Sequence, residues 1–167
     1  FPLAVAADSA TYDLGLGTIR RSTNTERLYE VPAQQWADLT GPAGDYGVAI
    51  LNDCRYGWDK PDGHTLRLTL VRTPDVNPNW KWIADQRSMD FGHHAVTVAL
   101  AAHASGWREG KVPAEADRLN QPLVAFRTAA HPGALGRSFT LVRSSNPAVA
   151  VRAVKRAEDS QEIVVRL

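Results

Sequence analysis

The chain has 167 residues, a length that fits one domain with a sizeable core. Hydrophobic residues make up 44% of it and charged residues 22%, which is ordinary for a folded protein and excludes a disordered or collagen-like chain. The 19 basic and 18 acidic side chains leave a formal net charge of +1. This balance predicts neither nucleic acid nor an anionic membrane as a partner, and basic pairs such as Arg20 with Arg21 are interpreted as solvated faces.

Cys54 is the single cysteine, which excludes an internal disulfide and a cysteine-based zinc site. The lack of disulfides favours a reducing compartment such as the cytoplasm. No apolar run approaches the roughly 20 residues of a membrane span. Residues 1–7 are too short and too uncharged for a signal peptide and are interpreted as a first β-strand. Because the chain does not start with Met, we expect it to be a piece of a longer one.

Short segments in which apolar and polar residues alternate recur along the chain, separated by Gly, Pro, Asn and Asp. In chain order, the predicted strands cover residues 11–18, 28–31, 46–51, 66–71, 94–100, 123–127, 138–142, 149–154 and 163–167. A short helix is predicted only over residues 114–119. Roughly eight or nine strands without intervening helices predict an all-β fold, an antiparallel β-sandwich in a single domain over residues 1–167.

Two irregular segments, residues 52–59 and 75–90, interrupt this pattern and carry a set of aromatic residues: Tyr56, Trp58, Trp80 and Trp82. Loops on a rigid sandwich often form binding surfaces, and flat rings there can stack on the apolar face of a sugar. The alternative is that Trp80 and Trp82 lie on one side of an extended stretch and cover the sandwich core. Both interpretations remain open at this stage.

The sequence predicts no catalytic centre of its own. A glycosidase needs two carboxylates facing each other across the sugar, and no such pair can be assigned from the sequence. Neighbouring residues on a strand point to opposite faces, so His93 and His94 cannot hold one ion together if that segment is extended. His103 is the third candidate, but the sequence has no HExxH motif and no close spacing of His and carboxylate residues that is typical of a metal site. Cys54 has no recognisable partner His, and no G-x-S-x-G motif occurs.

Arg72 shares strand parity with Leu66, Leu68 and Leu70, so a regular strand would direct it towards the core. A charge in that position requires a partner or a polar cleft. Two interpretations follow, an internal ion pair that closes the end of the sandwich, or a guanidinium at the rim of a polar site.

Several distinctive motifs occur in order along the chain. Residues 30–39 read EVPAQQWADL, and residues 46–57 read YGVAILNDCRYG. They are followed by residues 66–74 (LRLTLVRTP), 90–94 (DFGHH), 119–123 (LNQPL) and 153–159 (AVKRAED). These motifs resemble, in the same order, those of the glycoside hydrolase family 38 α-mannosidases, in which the second motif reads YGVALLNDCKYG. The chain departs from the family at Val96 and Val98, where an aromatic residue and Tyr are common, and at Arg21-Ser22-Thr23 in place of R-P-T.

The resemblance implies the C-terminal β-sandwich region of a retaining, zinc-dependent exo-α-mannosidase. It also implies that the nucleophile and zinc ligands belong to earlier regions of a longer polypeptide, so this segment binds no cofactor and is inactive alone. The implied partners are the enzyme's own catalytic domain and a mannose-containing oligosaccharide. Arg72 is the residue that the resemblance places at the active-site edge. Other candidates for the rim or the interdomain contact are Asn52, Asp53, Arg55, Tyr56, Trp58, Trp80 and Trp82.

Two further interpretations compete with this one. A free-standing carbohydrate-binding module would use Trp58, Trp80 and Trp82 as a stacking platform, and a purely structural scaffold would bind no sugar. Fold class alone cannot choose among the three.

Overall fold

The structure, a computed structural model, describes residues 1–72, 91–146 and 148–167. It consists of two compact units, Phe1–Val124 and Ala125–Leu167, and each is described by itself. The whole predicted irregular segment at residues 75–90, with Trp80 and Trp82, lies outside the described residues. The assignment of residues 1–167 to a single domain stays a prediction.

The first unit contains two antiparallel sheets and a helix. In chain order, its elements are β1 (Ser9–Asp13), β2 (Thr18–Ser22), β3 (Val31–Pro32), β4 (Trp36–Thr40), β5 (Tyr46–Asn52), β6 (Gly57–Asp59), β7 (Arg67–Leu68), β8 (Val98–Ala104) and α1 (Val112–Asn120). Among the described strands, five form the main sheet in the order β2-β1-β4-β5-β8, and three form a small sheet in the order β3-β6-β7. The predicted first strand at residues 1–7 contributes an isolated bridge between Pro2 and Thr65.

The two central strands of the main sheet, β4 and β5, are buried on both faces, because their residues alternate between two cores. On β5, Val48 and Ile50 join the core shared with the small sheet, which includes Trp58 and Leu66. The residues between and after them, Ala49 and Leu51, join a second core with Trp36 of β4 and with Val112 and Ala116 of α1. The small sheet therefore packs on one face and the helix on the other. The predicted all-β fold of packed antiparallel sheets is confirmed.

Several predicted boundaries differ from the observed ones in this unit. The strand predicted at residues 11–18 is a hairpin, in which Gly15 has φ of 80° and the N–H of Leu14 donates to the carbonyl of Gly17 at 2.8 Å. Strand β4 was not predicted, because a strand that is buried on both faces loses the polar alternation that identifies strands. The predicted helix is confirmed and runs over Val112–Asn120. Within the described ranges, no helix has the length and apolar character needed to cross a membrane.

The second unit contains a hairpin of β9 (Ala153–Arg156) and β10 (Ile163–Arg166). β10 confirms the strand predicted at residues 163–167, whereas the one predicted at residues 149–154 starts later. The strands predicted at residues 123–127 and 138–142 are wrong, because both segments are irregular, and Phe126 and Phe139 are 86% and 60% exposed. Alternation alone cannot form a strand where no neighbouring strand supplies hydrogen bonds.

Trp58 is the central side chain of the core between the two sheets. It lies on β6, opposite Val31 of β3 and Leu68 of β7, and it is fully buried. Within the part of the chain that the structure describes, its indole Nε1–H has no hydrogen-bond partner. Among the described residues, the ring is therefore held by apolar packing and not by a hydrogen bond.

We expect Trp58→Ala to lower the free energy of unfolding of the chain by about 3–5 kcal/mol, since it removes a fully buried ring and leaves a cavity. Trp58→Phe should cost clearly less, because a ring remains and the unpartnered indole N–H disappears. Urea unfolding measures both values. Leu16→Ala, at a fully exposed position, serves as the control and should stay within about 0.5 kcal/mol. Equal losses for the two Trp58 variants would contradict this account.

Candidate functional site

Asn52 ends β5 and shapes the loop that follows it. Its side-chain Oδ1 accepts the backbone N–H groups of Cys54 at 3.1 Å and Arg55 at 2.6 Å. Its Nδ2 donates to the carbonyl of Gln34, and its own carbonyl accepts a bond from the Asn120 amide at 3.1 Å. Asn52 is 1% exposed, so it acts here as a buried anchor for the loop.

The next two residues, Asp53 and Cys54, shift each other's pKa in opposite directions. The Asp53 carboxylate accepts the backbone N–H of Thr97 at 3.1 Å. Hydrogen bonding, first from the Cys54 thiol and then from Thr97, lowers the pKa of Asp53 below its ordinary value. The interaction with Asp53 raises the pKa of the Cys54 thiol, which also lies 3.7 Å from the carbonyl of Ala95. A raised pKa favours the thiol over the more nucleophilic thiolate.

Arg55 connects this loop to the end of the small sheet. Its Nε donates to the carbonyl of Leu70, and its Nη1 donates to the carbonyl of Cys54 at 3.0 Å. Its Nη2 lies 3.2 Å from Nδ1 of His94. Because a guanidinium can only donate, Nδ1 of His94 is the acceptor and carries no proton in this arrangement.

These contacts border an open cleft of about 390 Å³, hereafter the rim cleft. The residues that line it are Glu30, Cys54, Arg55, Tyr56, Gly57, Thr69, Leu70 and Arg72. Thr69 donates its hydroxyl to Glu30 at 2.7 Å, and a Cβ at Gly57 would lie only 2.5 Å from Glu30 Oε1. Glycine at position 57 therefore lets the Glu30 carboxylate approach the backbone at the cleft.

Arg72 lies exposed in the wall of the rim cleft. Leu66 is fully buried, but Leu70 is 49% exposed, so the chain rises out of the core before it reaches Arg72. β7 ends at Leu68, and strand parity beyond that point no longer predicts direction. The predicted direction of Arg72 towards the core is therefore wrong, because Arg72 is exposed, and the residue lines the same cleft as Tyr56 and Glu30.

The aromatic platform predicted from the sequence is not formed by the described residues. Trp58 is fully buried, so the prediction that its ring stacks on a sugar is wrong. Trp80 and Trp82 lie outside the described residues. Tyr56, which is 56% exposed, remains as the aromatic side chain of the rim cleft.

The rim cleft can hydrogen-bond a polar ligand, but its described residues do not form a hydrolytic pair. Among the described residues that line it, Glu30 is the single carboxylate, whereas glycoside hydrolysis needs two. No group of three or more His, Cys, Asp or Glu in residues 1–72, 91–146 and 148–167 is placed to hold a metal ion. These residues therefore do not fit a zinc centre, and no step through zinc is derived from them.

Comparison with known proteins agrees with the resemblance seen in the motifs. Residues 1–78 match the family model described as "Glycosyl hydrolases family 38 C-terminal domain". The chain carries a family 38 C-terminal domain. It is 33% identical over 176 residues to Alpha-mannosidase 2C1 of Mus musculus and 35% identical over 175 residues to Alpha-mannosidase 2C1 of Homo sapiens, and each comparison covers 100% of the chain. It is 30% identical over 172 residues, 98% of the chain, to Alpha-mannosidase G of Dictyostelium discoideum.

The family 38 chain spans a small share of these relatives, 16% of either Alpha-mannosidase 2C1 and 14% of Alpha-mannosidase G. The family model covers β1 to β7, and the longer comparisons add β8, α1 and the second unit. The predicted resemblance to glycoside hydrolase family 38 is thus confirmed, as that of a C-terminal domain of this family.

A buried polar network in the family 38 domain was not predicted from the sequence. His103 Nε2 lies 2.7 Å from Asp38 Oδ2, and the two side chains are 5% and 1% exposed. Thr40 donates its hydroxyl to Asp38 Oδ1 at 2.6 Å, and His103 Nδ1 lies 3.2 Å from the carbonyl of Ser105. Cβ atoms at Gly47 or Gly110 would lie within 2.6 Å of the His103 side chain, so glycine is required at both.

The proton arrangement of this pair follows from its partners. A carbonyl only accepts, so His103 Nδ1 carries a proton, and one further proton lies between Nε2 and Asp38. Burial is the largest cause that raises the pKa of Asp38, and hydrogen bonds from Thr40 and His103 oppose it. The sequence contained one signal for this buried network, namely that Asp38 interrupts the otherwise apolar run of Trp36, Ala37 and Leu39.

Asp38→Asn should be tolerated, since an amide can accept from Thr40 and donate to neutral His103. Asp38→Ala should lower the free energy of unfolding by about 1–3 kcal/mol, because it leaves buried partners unpaired.

A raised pKa of Asp38 in the folded state means that the wild-type domain loses stability as pH rises from 3.8, the ordinary pKa of Asp, through the folded-state pKa. The stability of Asp38→Asn relative to wild type should therefore increase over that range. Urea unfolding across this pH range measures the difference, and a flat difference would contradict the assignment.

Proposed function

We propose that this chain is the non-catalytic β domain of a retaining, zinc-dependent exo-α-mannosidase that hydrolyses terminal α-mannosides. In this proposal the domain supports the catalytic domain and supplies Arg72 to the rim of the active site. Relatives named as alpha-mannosidases that match over the whole chain support the substrate class. Since the chain spans 16% of those relatives, the nucleophile and zinc ligands are proposed to lie in other regions of a longer polypeptide.

The rim cleft is the observation that carries this proposal. Arg72 offers N–H donors, Glu30 offers carboxylate acceptors, and Tyr56 offers a ring with a hydroxyl, all in one cleft. Sugar hydroxyls both donate and accept, and sugar rings present apolar faces, so this mixture suits a mannoside. With one described carboxylate, the cleft suits binding rather than cleavage.

Apolar side chains beside the cleft suit the proposed contact with a catalytic domain. Leu70 and Val71 come directly before Arg72 and are 49% and 48% exposed. Burying them against another domain would remove apolar surface from water, which favours association. The interface would also fix the position of Arg72 relative to the catalytic residues.

The chain alone is expected to release no product from a chromogenic α-mannoside, with or without added zinc, because the described lining of the rim cleft holds one carboxylate and hydrolysis needs two. The release of nitrophenol is followed against a buffer blank. Turnover above that blank, at a rate that scales with protein concentration, would overturn the non-catalytic assignment.

Arg72→Met is expected to leave the free energy of unfolding of the chain within about 0.5 kcal/mol, since the side chain is exposed. In the longer enzyme that the proposal requires, the same change should lower kcat/KM about tenfold or more, through the loss of charged hydrogen bonds to the sugar. Arg67→Met is the matched control, because Arg67 is exposed, pairs with Asp59 and does not line the cleft. Equal effects of the two substitutions on kcat/KM would contradict the proposed role of Arg72 at the rim of the active site.

A further inference from the structure

A second cavity of about 390 Å³ lies on the face of the main sheet that carries the helix. Ala10 and Tyr12 of β1 belong to the core shared with the small sheet, so the alternation of the strand places Ser9 and Thr11 on the opposite face. In the register of β1 with β2, Thr11 pairs with Arg20. The sheet therefore supplies hydroxyls and a guanidinium to this cavity, which shares no lining residue with the rim cleft.

The facing wall is the segment between β8 and α1, which carries Trp107 and Arg108. It is bounded by Ser105 and Lys111, which have φ of 62° and 54°, a left-handed conformation that residues other than glycine rarely adopt. The bond between His103 and the Ser105 carbonyl holds one end of the segment. Strained backbone of this kind persists where the surrounding structure holds it and is common at ligand sites.

Two guanidiniums are held in position at this cavity. Arg20 donates from Nη2 to the hydroxyl oxygen of Ser9 at 2.6 Å, and the guanidinium carbon of Arg108 lies 4.1 Å from the ring centroid of Trp107. The lone pairs of Ser9 accept from Arg20, so its hydroxyl hydrogen can be donated to a ligand. Among the described lining residues, two guanidiniums face the single carboxylate, that of Asp8.

The chemistry of these groups favours an anion over a neutral sugar. The Trp107 ring is covered by Arg108 and packs on Trp36 with centroids 5.2 Å apart, so it is not an open platform for stacking. Planar guanidiniums match the oxygens of a phosphate and bind them with charge-assisted hydrogen bonds. The volume falls in the range of sites for small organic ligands, which leaves space for a group attached to the phosphate.

We propose that this cavity binds a phosphate monoester, with Arg20 and Arg108 as its clamp and Ser9 as a further donor. This site is separate from the rim cleft and does not depend on mannosidase activity. Only the choice of mannose as the attached sugar in the test rests on the proposed function.

The test is calorimetric titration of the 167-residue chain with inorganic phosphate, mannose 6-phosphate and mannose. Both phosphates should bind, and mannose should not. Tighter binding of mannose 6-phosphate than of inorganic phosphate would show that the sugar is also contacted, whereas equal affinities would show recognition of the phosphate alone. Arg20→Met and Arg108→Met should each raise the Kd about tenfold or more. Arg118→Met, on the exposed side of α1 and away from this cavity, should leave it unchanged.

A second measurement uses the wild-type chain alone, so that it does not depend on the folding of any variant. Raising the NaCl concentration should weaken binding of mannose 6-phosphate, because the contact is between charges near the surface. Inorganic phosphate should compete with it. Absence of binding by either phosphate, equal binding of mannose and mannose 6-phosphate, or an affinity that is unaffected by salt would overturn the proposal. Unchanged affinity in both folded arginine variants would also overturn it.

Discussion

The pairing of β4 with β5 is the constraint on which the rest of the first unit depends. This pair is buried on both faces, so each strand contributes to two cores at once. The face with Leu39 and Ile50 packs against the small sheet, and the face with Trp36 and Leu51 packs against α1. A shift of one residue in this register would exchange the two faces and disrupt both cores.

Two polar residues within the same pair connect this core to the surface. Asn52 at the end of β5 directs the loop that forms one wall of the rim cleft. Asp38 in the middle of β4 binds His103 of β8, which in turn holds the segment that carries Trp107 and Arg108. Buried polar groups of this kind are costly unless they are satisfied, and here their hydrogen bonds fix where the two cavities form.

The two cavities differ in the chemistry that they offer. The rim cleft combines Glu30, Tyr56 and Arg72, and it is the cleft for which we propose a neutral sugar as ligand. The second cavity brings Arg20 and Arg108 together across a polar floor and suits an anion. From the sequence, Arg20 was interpreted as part of a solvated face. Its position beside Ser9 and Thr11 could not be predicted, because it depends on the pairing of β1 with β2.

The sequence by itself determined the family, the all-β class, the strand at residues 46–51 and the helix, since ordered motifs and local periodicity are properties of neighbouring residues. It predicted Arg72 and Tyr56 as site residues, which stays a prediction, and both residues line one cleft in the structure. Tertiary structure decided three features, which are the burial of Trp58, the exposure of Arg72 and the hydrogen bond between Asp38 and His103. Periodicity tells which face of an element is apolar, but not which distant element covers that face. Asp38 and His103 are 65 residues apart in the chain, and only the folded sheet brings them into contact.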